Sequence, residues 1–156
     1  MQIALYYPQL GYYSSTKDKI SSSGDFITAT SQTSIFASTF ARQFSTILSR
    51  LPTNACIIEF GAGTGKFAVD CMVELNRCGT IPKKYVIVEL SSDLKSRQQE
   101  YVKNNIPDMY NNFEWLSELP KSKVNAIVLA NEVLDAMPAD IFKSKSGELV
   151  QQGVEY

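Results

Sequence analysis

The chain of 156 residues is expected to fold as an α/β domain built on a parallel sheet with helices on both faces. Three observations carry that expectation. Short apolar runs at residues 55–60, 85–89, 113–116 and 124–130 alternate with longer segments of helical periodicity. The first run leads directly into Gly61-Ala62-Gly63-Thr64-Gly65, and the second ends on an acid, Glu89. Strands that are apolar without alternation suit a sheet covered on both sides, as sheets joined by helical crossovers are.

In chain order, residues 3–13 are aromatic-rich and broken by Pro8 and Gly11, which predicts short extended pieces or a turn rather than a long helix. Residues 14–24 read as a polar loop. From Ser34 the apolar positions Phe36, Phe40, Phe44, Ile47, Leu48 and Leu51 recur at helical spacing until Pro52, which predicts an amphipathic helix. The run at 55–60 predicts the first strand, and the segment 66–77 a helix ending near Gly79. A second strand follows at 85–89, then a polar-faced helix over 92–104 with a Ser/Asp start, a third strand at 113–116 and a fourth at 124–130. After Asn131 a short helical turn reaches Met137-Pro138, and residues 141–154 suit a hairpin through Ser146-Gly147. Two regions are expected: residues 1–52, with the amphipathic helix, and residues 53–156, with the glycine loop.

Composition excludes several function classes. A formal charge of -1 and a pI near 5.5 offer no broad basic surface for nucleic acid. No run approaches the ~18–20 apolar residues of a membrane span, and Met1-Gln2-Ile3 is not a positively charged signal start, so a soluble compartment is expected. The chain has no His, which excludes Ser-His-Asp and Cys-His nucleophile systems and removes the commonest zinc ligand. Cys56, Cys71 and Cys78 form no C-x-x-C pair and read as buried reduced thiols; no metal site is expected.

The glycine loop decides the ligand class. A nucleotide triphosphatase loop would need Gly at 60 and Ser or Thr at 67, where the chain has Phe60 and Phe67. A dinucleotide fingerprint starting at Gly61 and Gly63 needs a third Gly where Lys66 stands. What remains is acid-x-Gly-x-Gly-x-Gly, from Glu59 through Gly61, Gly63 and Gly65, a loop that approaches a small zwitterion closely; S-adenosylmethionine is such a ligand. The following helix would aim free N–H groups at the ligand carboxylate, and Glu59 would meet its amino group directly or through water. Glu89, at the tip of the second strand, is placed to accept both hydroxyls of a ribose, a feature that adenosylmethionine and NAD share. Trp115 and Leu116 would flank an adenine ring, and Leu90 and Asn131 complete this shell at the strand ends. Glu132 and Asp135, three apart, share a face if their segment is helical, and two such acids suit a guanidinium. The alternative reading is a pair of acids complementing a helix start.

The stretches "ALYYPQLGYYSS", "GDFITA", "IIEFGAGTGKF", "VIVELSSDLKSRQQE" and "VLANEVLDAMP", in this order and spacing, resemble the MidA-like family of S-adenosylmethionine-dependent methyltransferases. The resemblance implies a Rossmann-like class I methyltransferase sheet and a protein arginine methyltransferase, with respiratory complex I assembly as the setting of mitochondrial relatives. It implies Gly24, Phe26 and Thr28 near the cofactor, Asp25 beside it as a candidate catalytic acid, and Glu132 and Asp135 near the substrate. The host compartment would be bacterial cytoplasm or mitochondrial matrix. Ser31 stands where the family carries an acid, which weakens the site and leaves room for an assembly or scaffold protein without turnover. The family also extends further, so the sheet is expected to be incomplete at the C-terminus. The fourth strand would then carry a bare apolar edge, open to the segment 141–154 or to a second copy as a homodimer.

Overall fold

The computed structural model describes residues 2–7, 10–12 and 33–153, the Gln2 and Asp135 side chains excepted. In chain order the elements are α1 (Gln2–Tyr6), α2 (Ser34–Leu48), β1 (Cys56–Phe60), α3 (Lys66–Arg77), β2 (Tyr85–Val88), α4 (Ser92–Asn105), β3 (Phe113–Leu116), β4 (Ala126–Ala130), β5 (Phe142–Lys145) and β6 (Glu148–Gln151). Short 3₁₀ helices occupy Pro107–Asn112 and Leu134–Ala136, the first of which the sequence pattern did not indicate. Two compact units result, one of residues 16–131 and one of residues 1–15 with 132–156.

The larger unit is a four-stranded parallel sheet in the order β3-β2-β1-β4. Side-chain alternation sorts its residues. Ile57, Tyr85, Ile87 and Phe113 join one core with Ala37, Ala41 and Phe44 of α2, Phe67, Met72 and Leu75 of α3, and Val102 of α4. Cys56, Ile58, Val86 and Val88 look the other way, with Phe60, Leu116 and Ala126 around them. The steps from β1 to β2 and from β2 to β3 run in one direction, so right-handed crossovers lay α3 and α4 on a single face. The connection that steps back, residues 117–125 between β3 and β4, contains no helix. The second helical layer expected from the sequence is therefore not formed by described elements of this unit, and Val128, on that second face, is 60% exposed. β4 has β1 as its one strand partner among the described residues.

Helix ends follow local chemistry. Thr33 caps α2 by accepting the Ile35 N–H at 3.2 Å, and the helix closes at Leu48, short of the Pro52 stop. Ala37 and Ala41, almost fully buried, let α2 come close to α3, where Phe36 and Phe40 meet Phe67 edge-on at 5.9 and 6.1 Å. Burying a side chain the size of Phe67 contributes about 1.5–3 kcal/mol. Arg42 of α2 donates to Glu74 of α3 at 2.9 Å and, with Arg77 on the far side, holds that carboxyl below its ordinary value. α3 ends in a Schellman motif: the Thr80 N–H donates to Leu75 O and the Gly79 N–H to Asn76 O. Cys56 and Cys71 are buried as expected, whereas Cys78, in the exposed cap of α3, is not.

In the smaller unit, residues 2–6 form one helical turn, where short extended pieces or a turn rather than a long helix were expected. Its geometry brings the Gly11 N–H to Tyr7 O at 2.7 Å, where a Cβ on residue 11 would stand 2.4 Å from the Tyr7 nitrogen. The Tyr6 hydroxyl donates to Ala136 O at 2.7 Å. β5 and β6 form a separate antiparallel hairpin whose turn has Ser146 at φ 53 and Gly147 at φ 87, the two positive angles of a type I′ turn.

Candidate functional site

The site is built at the carboxyl ends of β1 and β2, where an open parallel sheet receives ligands. β1 leads into the glycine loop, which is anchored where the Gly61 N–H donates to Val88 O at 3.1 Å. Gly61, Gly63 and Gly65 have φ 60, 55 and 81, left-handed values that cost about 1–2 kcal/mol for a residue with a Cβ. This explains the alternate spacing of the glycines. α3 then starts on Gly65, which has no side chain to cap it; the Lys66 N–H donates to Thr64 Oγ1 at 3.4 Å, and the remaining first-turn N–H groups face the loop side. Lys66, in the place of a third fingerprint glycine, runs back along α3 and pairs with Asp70.

Glu59 shares its sheet face with Ile57 and lies 96% out of solvent, its register partners being Ile87 and Leu129. Its Oε2 accepts the Tyr85 hydroxyl at 2.8 Å. Burial pushes the carboxyl from 4.5 up to about 7; the Tyr85 bond pulls it down and the Glu89 carboxylate pushes it further up. No cation is among those neighbours. A buried acid whose bonded partner is a neutral phenol gains from a cationic ligand group. Burial likewise drives the neighbouring Tyr85 and Cys71 far above their ordinary values, so neither ionises near neutral pH.

Glu89, also buried, follows β2 and is fixed at both oxygens. Oε1 accepts the Ser91 N–H at 2.9 Å, and Oε2 accepts from Gln98 Nε2 at 3.1 Å. Burial raises this carboxyl, and the bonds from Ser91, Gln98 and Leu90 offset part of the rise. Gln98, fully buried on α4, also donates to Gly63 O at 2.9 Å and accepts the Trp115 indole N–H at 3.2 Å. Sequence reading missed Gln98, because a Gln in a helix as polar as SDLKSRQQEYVKNN carries no mark; its distinction is burial.

The structure thus brings Glu59, Gly61, Gly63, Gly65, Glu89 and Trp115 together at one end of the sheet. Leu90, 65% exposed, stands beside Glu89. Leu116 turns to the opposite face from Trp115 and packs with the Val88 cluster. Asn131, half-buried, closes β4. Glu132 is exposed with φ 50 and precedes the 3₁₀ turn containing Asp135, so the helical condition for a shared face of the two acids is not met; both belong to the smaller unit. Gly24, Asp25, Phe26, Thr28 and Ser31 lie outside the described residues. Chemically, the larger unit offers an anion-binding helix start, an acid suited to an amine, and an acid with free acceptor capacity for hydroxyls.

A family model described as "Putative S-adenosyl-L-methionine-dependent methyltransferase" matches residues 39–156. Among solved structures, a COG1565 superfamily member and "likely methyl transferase" from Burkholderia thailandensis, bound to S-adenosyl-homocysteine, is similar at 34% identity and a TM-score of 0.82. That match covers 96% of this chain and 39% of the other. A native structure of a COG1565 superfamily protein from the same organism is similar at 33% identity and a TM-score of 0.73, covering 99% of this chain and 42% of its own. This chain therefore spans about two fifths of the length of these structures. No curated protein matches it.

Proposed function

The chain belongs to the MidA-like family of S-adenosylmethionine-dependent methyltransferases, and from that premise we propose that its sheet tip binds S-adenosylmethionine for transfer of the methyl group to a protein arginine. One observation supports the reading: two buried carboxylates, Glu59 and Glu89, stand at adjacent strand tips around the glycine loop, with no cation among the described residues acting on either. The N–H groups at the start of α3 suit the ligand carboxylate, Glu59 its ammonium, and Glu89 its ribose hydroxyls. Trp115, Leu116, Leu90 and Asn131 are assigned to the nucleoside side, and Gly24, Phe26 and Thr28 are assigned to the shell through the family motif.

The cofactor supplies a methyl group already activated on a sulfonium. The task left to the protein is to align a nucleophile in line with that methyl and to exclude water. Through the family motif, Glu132 and Asp135 are assigned to the guanidinium, which pairs with carboxylates through its fixed donors, and Asp25 is assigned a catalytic role by the same resemblance. The family resemblance supports a protein substrate, in mitochondrial relatives a respiratory complex I subunit. Among the described residues no helix is long and apolar enough to cross a membrane.

Calorimetric titration with S-adenosylhomocysteine, with NAD as the competitor, tests the binding step. Saturable binding of the first that NAD does not displace is the expected result, and preference for NAD would overturn it. Ser31, in place of the family acid, favours a second reading in which the chain binds cofactor as an assembly protein without turnover. Binding without methyl incorporation into any offered arginine peptide or protein would select it.

A further inference from the structure

Gln98 has no exposed surface and spends its amide on three partners from three different elements. The Nε2 group donates to Gly63 O in the loop after β1 and to Glu89 Oε2 at the tip of β2, while Oε1 accepts from Trp115 Nε1 on β3. These partners fix its polarity. Turned over, the amide would set its oxygen against two acceptors and its NH₂ against an N–H donor. Its carbons also stand directly under the loop, since a Cβ added to Gly65 would meet Gln98 Cγ at 3.4 Å.

The consequence for Glu89 follows from counting. A carboxylate offers about four lone-pair sites. Ser91 N–H and Gln98 Nε2 take one on each oxygen and the Leu90 N–H takes a third, which leaves one acceptor site directed at a ribose hydroxyl. We propose that Gln98 is a positioning residue for the cofactor: it turns the Glu89 carboxylate toward the ribose and, through Gly63 and Gly65, sets the height of the glycine loop against it. This deepens the S-adenosylmethionine reading and rests on it. Leu at this place would leave the indole N–H, the Gly63 carbonyl and Glu89 Oε2 without their partner. Glu would be worse, since it is acceptor-only when ionised and would face the Glu89 carboxylate.

A double-mutant cycle tests the assignment, with calorimetry on S-adenosylhomocysteine and emission from Trp115, the chain's single tryptophan, as readouts. Gln98→Leu should weaken binding roughly tenfold or more, as for a lost hydrogen bond to a charged group. Glu89→Gln should weaken it too, and the two losses together should be far smaller than their product, because Gln98 acts through Glu89. Trp115 emission in the ligand-free chain should shift in Gln98→Leu and hold steady in Glu89→Gln. Gln98→Met, similar in length and uncharged, serves as the second variant should Leu prevent folding, with the same non-additive loss expected. Wild-type binding with losses that multiply, or a folded Gln98 variant that binds as tightly as wild type, would overturn the role of Gln98 alone. A wild-type chain that does not bind S-adenosylhomocysteine would overturn the reading of the site and this inference with it.

Discussion

Replacing Glu59 by Gln should stabilise the chain above neutral pH while removing its hold on an amine. The magnitude follows from burial: a carboxyl raised from 4.5 to about 7 corresponds to roughly 3 kcal/mol, at about 1.4 kcal/mol per pH unit. The sign follows from proton linkage. The folded state binds this proton more tightly than the unfolded chain, so the stabilisation is complete below pH 4.5, declines as pH rises, and is lost above about 7. Gln in this place keeps an oxygen for the Tyr85 hydroxyl and carries no charge to desolvate. Melting curves of both proteins, followed by circular dichroism from about pH 5 to 8, should diverge with rising pH until the variant leads by on the order of 10 °C. Glu89, raised in the same direction, gives both proteins a slope of the same sign, so the difference between them reports Glu59 together with its repulsion of Glu89. Parallel curves, or a variant that is less stable at pH 8, would refute the claim that Glu59 is a buried acid whose proton is held by burial.

Three other outcomes are expected. Glu89→Ala should cost about 1.5–3 kcal/mol of S-adenosylhomocysteine affinity by calorimetry, as for hydrogen bonds to a charged group, and unchanged affinity would remove its ribose role. Glu132→Gln and Asp135→Asn should lower methyl incorporation while leaving cofactor affinity near wild type, because loss of alignment penalises transfer rather than binding; equal loss of both would move these acids into the cofactor shell. The side of β4 that no described strand pairs with should pair with a second copy in solution. Light scattering should then report a dimer that Val128→Lys converts to monomer, and a monomeric wild type would end that proposal.

What was legible in the sequence is what the backbone itself dictates. The bounds of α3 and β3 coincide with the periodic segments, and the Gly-x-Gly-x-Gly spacing anticipates a loop with three left-handed residues. The Ser146-Gly147 turn is of the same kind, since the residue types that tolerate positive φ announce it. Less legible were elements fixed by tertiary context. The helical turn at Gln2–Tyr6 is tied by a Tyr6 bond to Ala136, 130 residues away. The described elements of this unit place their helices on one face because crossover handedness ties each helix to the direction of a strand step, which local periodicity does not contain. Gln98 was invisible for the same kind of reason: its partners lie 9, 17 and 35 positions away, and only their meeting makes it different from its neighbour Gln99.

The titration of Glu59 also links the fold to the ligand with opposite signs. The proton that stabilises the empty chain below about pH 7 neutralises the charge that an ammonium group would seek. Affinity for an amine-bearing ligand should therefore climb by up to about tenfold per pH unit as pH rises toward 7, over the same range in which the unliganded chain loses stability. Binding near pH 6 should release a proton, seen as a calorimetric heat that varies with the ionisation enthalpy of the buffer, and Glu59→Gln should abolish that release. Glu89 cannot imitate this signature by accepting hydroxyls alone, because uncharged donors shift a carboxyl far less than a cation at contact. A buffer-independent heat in the wild type would mean that the amine binds elsewhere, even if the nucleoside half still binds at Glu89.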